Sequence, residues 1–395
     1  INDSTARQIN KKNKVSYFQN SIDFIREKFA TNEFIPLHAP VFSGNEKKYV
    51  LDTLDSTFVS SVGAYVDQAE QVMAQISQTQ KAVAVVNGTS GLQIALQLAG
   101  VQRGDEVITQ ALTFVATANA IHYTGAEPIF IDVDLDTMGL SPKAVEEFLQ
   151  EFGEKRENGT YNKKTGKRIA ACVPMHTFGF PVHLEALLRV CEEWNIPIVE
   201  DAAESLGSYY KGKHTGSFGK LGVFSFNGNK IVTCGGGGMI VTQDEELGQL
   251  GKHLTTTAKV PHPYEYVHDQ VGYNFRMPNL NAALICAQLE QLEMFLANKR
   301  ALATEYATFF EGQGMKFRKE LEHTKANYWL MCLELENSKE RNAFLKLSNE
   351  NKVMTRPIWQ LMYRLSMYQH CYRDAQKNAE YLEERIVNIP SSVRG

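Results

Sequence analysis

The sequence contains no apolar run long enough to cross a membrane, so a membrane-spanning protein is not expected. Its six cysteines are scattered without a CxxC pair, which argues against a zinc site or a disulfide framework and favours a reducing compartment. The formal net charge of -4 gives no electrostatic reason to expect nucleic acid as a partner. The first residues are polar and show no signal-peptide pattern, so we expect a cytoplasmic protein without a metal site.

The common phosphate-binding loops are also missing. Neither GxxxxGK[ST] nor GxGxxG occurs in the chain. A nucleotide-binding α/β protein that uses the glycine run Gly235 to Gly238 is one alternative, and the absence of both patterns counts against it.

From residue 81 onward, short apolar runs alternate with segments that have the apolar periodicity of helices. Strands separated by helices are typical of βαβ units and predict an α/β fold with a mainly parallel sheet. The length of 395 residues favours two domains. The predicted strands lie at 81–87, 106–109, 127–133, 169–174, 196–200, 221–226 and 238–242.

The pattern changes after residue 262. Two long helices over about 280–310 precede a strand at 328–335, and a short strand at 353–355 and a last helix near 375–386 follow, which predicts a smaller α+β unit. The polar stretch 153–167 is interpreted as an exposed insertion. The predicted organisation is an N-terminal extension (1–30), a large cofactor-binding domain (31–262) and a smaller C-terminal domain (263–395).

One lysine follows a strand close to the glycine run. Lys230 lies where partial desolvation would disfavour its charged form and make the amine nucleophilic. Asp201 ends a strand that reads as buried, where its carboxylate could hold a pyridinium nitrogen. Together the two residues indicate the Schiff-base lysine and the pyridinium partner of a pyridoxal phosphate (PLP) enzyme. Taken singly, a surface lysine and a helix N-cap are the alternatives.

Further candidates follow neighbouring strands, and ligands of parallel sheets bind at the carboxyl ends of the strands. Gly88, Thr89 and Ser90 open a helix whose free N–H groups could bind a phosphate, and the Ser225 hydroxyl could reach the same group. Phe114 begins the next helix and could stack on a planar ring. The alternatives are an N-cap without a ligand and a core phenylalanine.

Seven short segments, taken in order and spacing, carry a resemblance that extends from about residue 34 to 390. The chain resembles the sugar-nucleotide aminotransferases of the DegT/DnrJ/EryC1/StrS family, which have the aspartate aminotransferase fold (PLP-dependent fold type I). The segments are 58–63 (FVSSVG), 87–91 (NGTSG), 113–117 (TFVAT), 200–203 (EDAA), 224–226 (FSF), 235–239 (GGGGM) and 272–277 (GYNFRM).

The resemblance implies a role for each matching residue. Lys230 would bind PLP covalently and move protons, with pyridoxamine phosphate formed in turnover, and Asp201 would bond the pyridinium nitrogen. Phe114 would cover the ring, and Asn274 would reach the phosphate from the partner subunit of an obligate homodimer. The remaining phosphate ligands would be Thr89, Ser90 and Ser225, and Gly88 and Glu204 are further cofactor-binding candidates.

The chain also departs from the family's pattern. Glu204 stands where many members have Gln or His against the ring hydroxyl of the cofactor, and residues 358–363 (IWQLMY) replace a frequent Pro-Leu-His. In these departures the chain resembles the subgroup of the family that makes bacillosamine and legionaminic acid precursors. That likeness predicts amination of the 4-keto group of a UDP-linked 2-acetamido-2,6-dideoxy-4-keto-hexose, with L-glutamate as donor.

Five residues are candidates for substrate binding. Arg276 and Arg356 could bind a diphosphate through bidentate hydrogen bonds or could hold the domains together, and His176 could touch substrate or pack. His38 and Tyr363 are further candidates. Two alternatives share the fold: a sugar 3-dehydratase, in which histidine typically replaces the lysine, and a non-catalytic PLP-binding protein.

Overall fold

A computed structural model describes residues 17–395. Most of the predicted N-terminal extension therefore lies outside the described residues. The α-helices of residues 17–395, in chain order, are α1 (17–29), α2 (Glu46–Ser56), α3 (Ala64–Ser77), α4 (Gly88–Leu98), α5 (Val115–Tyr123), α6 (Pro142–Phe152), α7 (Leu184–Glu193), α8 (Glu245–Thr255), α9 (Asn279–Leu289), α10 (Leu292–Gly312), α11 (Ser338–Glu350) and α12 (Lys377–Glu383).

The first three strands alternate with these helices as predicted, whereas the strands between residues 199 and 242 follow one another without an intervening α-helix. The strands of the described residues are β1 (Lys81–Val85), β2 (Glu106–Gln110), β3 (Glu127–Ile131), β4 (Gly153–Arg156), β5 (Gly159–Asn162), β6 (Ile169–Val173), β7 (Val199–Asp201), β8 (Tyr209–Tyr210), β9 (Lys213–His214), β10 (Leu221–Ser225), β11 (Gly238–Thr242), β12 (Lys259–Val260), β13 (Val267–His268), β14 (Lys316–Phe317), β15 (Thr324–Lys325), β16 (Met331–Glu334), β17 (Arg356–Pro357) and β18 (Ile386–Ile389).

The main sheet has the order β1-β11-β10-β7 on one side and β6-β2-β3 on the other, and parallel bridges from β6 to β7 join the two parts. Strand β11 is antiparallel to both of its neighbours, whereas β10, β7, β6, β2 and β3 are parallel. The predicted mainly parallel sheet is confirmed. Because the strands β7 and β10 are parallel neighbours, Asp201 and Ser225 lie at the same edge.

Both faces of this sheet are covered, as the alternation of side chains along β1 illustrates. Ala82 and Ala84 belong to one apolar cluster, and Val83 and Val85 point into another that includes Leu92 of α4. The first cluster also contains residues on the far side of the predicted boundary at residue 262, among them Met331 in β16 and Ile386 in β18. The division into domains stays a prediction.

The C-terminal sheet is antiparallel in the order β14-β16-β18-β17. Its strands are shorter than predicted. β16 begins at Met331 rather than at residue 328, because Tyr328 has a positive φ of 51° and cannot continue an extended strand. At 353–355 only an isolated bridge between Val353 and Ile35 forms, and the ladder begins at Arg356.

Two other segments complete the chain. The predicted insertion 153–167 forms the hairpin of β4 and β5. Helix α1 packs against the C-terminal helices, with Phe24 stacked on Phe309 and Phe18 edge-on to Phe344. Within residues 17–395, no helix is both long and apolar enough to span a bilayer.

Candidate active site

A cavity of about 530 Å³ opens where β1, β7 and β10 end. Most of the residues predicted from strand ends line it. The lining consists of Leu37, Asn87, Gly88, Thr89, Leu92, Phe114, Ala116, Phe178, Asp201, Ala203, Glu204, Ser225, Asn227, Asn229, Lys230, Trp329, Leu330, Arg356, Pro357, Trp359 and Asn388. A separate cavity of about 440 Å³, beside Tyr17 and Glu334, contains none of the predicted site residues.

The first turn of α4 forms one wall of the cavity. Asn87 caps the helix by accepting the Ser90 N–H on its side-chain oxygen at 2.8 Å. Gly88 lies so close to the end of β10 that an added Cβ would be 3.0 Å from the Ser225 Cβ. The N-terminus of α4 and the Ser225 hydroxyl therefore face the same space, an arrangement suited to a phosphate. Ser90 does not line the cavity, and its backbone N–H is used by the cap.

Asp201 is held by two hydrogen bonds at the bottom of the cavity. Thr117 Oγ1 donates to Oδ2 at 2.7 Å, and the Ala203 N–H donates to Oδ1 at 3.2 Å. Burial raises the pKa of Asp201, whereas these donors and the Lys230 charge oppose the shift. Thr117 was not predicted as a site residue, although it lies in the 113–117 segment and hydrogen-bonds Thr113 at 2.8 Å.

Lys230 reaches the cavity from the turn after β10. Its side chain is 12% exposed, and Nζ lies 3.8 Å from Glu204 Oε1. The same atom lies 3.9 Å from the centre of the Trp329 ring. Burial lowers the pKa of Lys230, and the carboxylates of Glu204 and Asp201 oppose that shift. The predicted desolvation of this amine is present.

Glu204 is buried beside the lysine. Its Oε2 accepts the Phe178 N–H at 2.8 Å. Burial raises the pKa of Glu204 to about 7, and the Lys230 charge limits the increase. Phe178 has a positive φ of 56°, a strained conformation for an aromatic residue, and its ring lines the cavity. Nothing in the sequence pattern pointed to Phe178.

Phe114 precedes the first residue of α5, and its side chain remains 52% exposed although it borders the cavity. An exposed aromatic ring at the rim of a polar cavity is available to stack on a planar ligand. The groups that line the cavity fit PLP. The α4 N-terminus and the Ser225 hydroxyl suit its phosphate, and the Asp201 carboxylate suits its ring nitrogen. The Lys230 amine suits its aldehyde, and the Phe114 ring suits the face of its ring.

The comparison with protein families identifies the relationship. The model of the DegT/DnrJ/EryC1/StrS aminotransferase family matches residues 41–394. The chain belongs to this family. Its PLP dependence and its activity as a sugar aminotransferase of nucleotide-sugar biosynthesis follow, and the predicted aspartate aminotransferase-like fold is confirmed.

Individual relatives of this DegT/DnrJ/EryC1/StrS aminotransferase agree. A GDP-perosamine synthase of Escherichia coli O157:H7 is 37% identical, over 91% of this chain and 93% of its own length. EpsN of Bacillus subtilis (strain 168), a putative pyridoxal phosphate-dependent aminotransferase, is 34% identical over 90% of each chain. The crystal structure of the aminotransferase TlmJ from Streptoalloteichus hindustanus superposes with a TM-score of 0.82 at 26% identity and covers 91% of this chain and 93% of its own.

Two predicted substrate residues of the aminotransferase lie away from the cavity. His176 is fully buried, Nε2 lies 2.9 Å from a Glu200 oxygen, and Nδ1 accepts the Val182 N–H at 3.2 Å. With both nitrogens used, His176 packs below the site and does not face substrate. Tyr363 is also buried and donates its hydroxyl to Glu380 at 3.0 Å, so it does not line the cavity either.

The other candidates differ in their placement. Arg356 lines the cavity mouth and forms no ion pair within residues 17–395. Arg276 donates to Asn274 Oδ1 at 3.1 Å, and neither residue lines the cavity of its own chain. The ring nitrogens of His38 are buried without a hydrogen-bond partner among the described residues, and burial lowers the pKa of this histidine well below its usual value.

Proposed function

We propose that this chain transfers the amino group of L-glutamate to the keto carbon of a nucleotide-diphosphate-linked keto-deoxyhexose, with PLP bound covalently to Lys230. The observation that carries the proposal is the convergence of Lys230, Asp201, Ser225 and the α4 N-terminus on one cavity.

The identity of the nucleotide is the finer part of the proposal. The relatives in Escherichia coli and Vibrio cholerae are named GDP-perosamine synthases, which favours a GDP-linked sugar. The UDP-linked 2-acetamido-2,6-dideoxy-4-keto-hexose predicted from the sequence is the second candidate. Both substrates contain a diphosphate and a keto-hexose, and Arg356, which lines the cavity, is a cation available to the diphosphate.

Bound PLP supplies an electron sink for the carbon that loses its proton. Lys230 Nζ would hold the cofactor and, as a free amine, would accept and return that proton, because burial lowers the pKa of this amine and so favours its neutral, basic form. Asp201 would stabilise positive charge at the ring nitrogen, while Thr89 and Ser225 would bind the phosphate and Phe114 would cover the ring; all four residues line the cavity. Glu204 lies beside the amine and adjusts its charge.

We also propose that the active protein is a homodimer in a reducing cytoplasm. Several large apolar side chains of the N-terminal part are exposed, among them Phe42, Phe58 and Val62. Asn274 has an exposed side chain outside the cavity of its own chain, consistent with a contribution to the partner's site. All six cysteines are free and buried. Sedimentation equilibrium tests the dimer, and a monomer at active concentrations would contradict it.

The first half-reaction can be measured without any sugar. Purified protein loaded with PLP should have the yellow absorption of lysine-bound cofactor, and L-glutamate should convert it to the near-ultraviolet absorption of pyridoxamine phosphate. A panel of GDP-, UDP- and TDP-linked 4-keto sugars should then restore the yellow form, fastest with the GDP-linked compound. Yellow protein that is unaffected by glutamate would contradict glutamate as the donor.

Lys230→Ala should abolish the conversion while retaining PLP through the phosphate contacts. Lys143→Ala, which removes an exposed lysine of α6, is the matched control and should behave as wild type. Full turnover by Lys230→Ala would exclude the lysine as the proton carrier.

A further inference from the structure

Trp329 contacts the lysine segment at two points. Its ring centre lies 3.9 Å from Lys230 Nζ, and its Nε1–H donates to the carbonyl oxygen of Asn229 at 2.7 Å. One side chain therefore touches both the amine and the backbone directly before it. A cation at this distance from an indole face is within the range of a cation–π interaction, and tryptophan is the strongest of the aromatic partners.

The backbone around Trp329 is built to hold this ring in place. Tyr328 adopts a positive φ of 51°, which is costly for an aromatic residue. Asn327 is fully buried; its Oδ1 accepts the Trp329 N–H at 2.8 Å, and its Nδ2 donates to the carbonyl oxygens of Glu204 and Leu206. On the other side, the buried Lys299 Nζ donates to the Trp329 carbonyl oxygen at 3.2 Å.

The other charged groups near the Lys230 amine do not compete with its contact to the Trp329 ring through a hydrogen bond. Glu204 Oε1 is 3.8 Å away, beyond normal hydrogen-bond length, and no hydrogen bond of Nζ is recorded within residues 17–395. Asp201 is a further negative charge that acts on Lys230, and Lys230 in turn acts on His38. The ammonium thus lies between a carboxylate and an indole face without forming a direct hydrogen bond to either.

We infer that the face of Trp329 is the resting site of the Lys230 ammonium whenever this lysine is not bonded to the cofactor. The inference rests on the proposed role of Lys230. Trp329 is a positioning residue: it stabilises the protonated amine inside the cavity, and its bond to Asn229 fixes the turn that carries the lysine. Removing the ring should therefore lower the affinity of the free amine for a proton.

The pH dependence of covalent PLP capture by protein stripped of cofactor tests this. Only the neutral amine attacks the aldehyde, so the midpoint of the rate reports the titration of Lys230. In Trp329→Leu the midpoint should shift by about 0.5 to 1.5 pH units to lower pH, the shift that corresponds to a desolvated cation–π contact. Trp329→Phe keeps a weaker ring face and should give a smaller shift in the same direction.

Trp194→Leu is the matched control. Trp194 also has a cation over its ring, with Lys155 Nζ 4.8 Å from the ring centre, but it does not line the cavity. Its midpoint should equal that of wild type. An unchanged midpoint in Trp329→Leu, or an equal shift in Trp194→Leu, would overturn the inference while leaving the aminotransferase proposal intact. Wild-type protein that captures no PLP would overturn both.

A second measurement does not depend on the leucine variant folding. The chain has three tryptophans, so replacing Trp194 and Trp359 with Phe leaves Trp329 as the sole indole emitter. Its fluorescence in cofactor-free protein should titrate at the midpoint found by PLP capture. Lys230→Met should lose that transition, and its persistence at the same pH would overturn the inference.

Discussion

Replacing Glu204 with glutamine should stabilise the cofactor-free protein at alkaline pH. Glu204 is buried, and its only hydrogen bond within the described residues comes from the Phe178 N–H, a donor that the glutamine carbonyl oxygen can equally satisfy. The nearest cation, Lys230 Nζ, is 3.8 Å away. The ionised carboxylate is therefore poorly compensated, and the substitution removes the charge with little change in shape.

The size of the effect follows from the titration of this group. Burial raises the pKa of Glu204 from 4.5 to about 7. As pH rises through this window the unfolded chain loses its proton first, so wild-type stability falls between about pH 4.5 and 7 and then levels off. At about 1.4 kcal/mol for each pH unit, the ionised carboxylate costs about 3 kcal/mol at pH 8.5, and Glu204→Gln should recover most of it.

Urea unfolding of cofactor-free protein, at one protein concentration and at pH 4.5 and 8.5, measures this difference. Cofactor is omitted because it binds only the folded state and would add its own stabilisation. The variant should match wild type at pH 4.5 and be more stable at pH 8.5. An equal difference in unfolding free energy at the two pH values would refute the reasoning.

Glu200→Gln is a control with the opposite sign. Burial opposes ionisation of Glu200, but His176 and the N–H groups of Gly216, Phe218 and Gly219 outweigh it and lower its pKa. The stability that this carboxylate contributes is present above its unfolded pKa and is lost in acid. Glu200→Gln should therefore cost at least about 2 kcal/mol at pH 8.5, since an amide cannot accept all four donors.

Two further substitutions test the cofactor contacts. Thr117→Val removes the hydroxyl that donates to Asp201 and should raise the pKa of that carboxyl by about 1 to 2 pH units, seen as an acid limb of the glutamate half-reaction that moves to higher pH. An unmoved limb would contradict this. Gly88→Ala places a methyl group 3.0 Å from the Ser225 Cβ and should weaken PLP binding about tenfold by titration. Gly312→Ala, which meets no atom within 4 Å, should bind PLP like wild type.

The rule that ligands bind where parallel strands end predicted which residues share one cavity, because it depends only on the order of residues along the chain. Asp201 and Ser225 end apolar strands and Gly88 follows one, and parallel pairing of β7 with β10 brings Asp201 and Ser225 to one edge. His176 also follows a strand, β6, but its ring turns beneath the sheet edge to Glu200. The order of residues along the chain predicts at which edge of the sheet a residue lies, but it does not predict the direction in which its side chain points.

The residues that the sequence analysis missed share a different property. Phe178 and Trp329 reach Glu204 and Lys230 only through backbone that carries positive φ at aromatic positions, at Phe178 itself and at Tyr328. Residue type predicts extended or helical backbone there, so no propensity rule marks these positions. Strain of this kind persists only when tertiary contacts outweigh it, and at Trp329 those contacts are the buried side chains of Asn327 and Lys299. It therefore concentrates beside the reactive amine, where a fixed ring has the largest effect on chemistry.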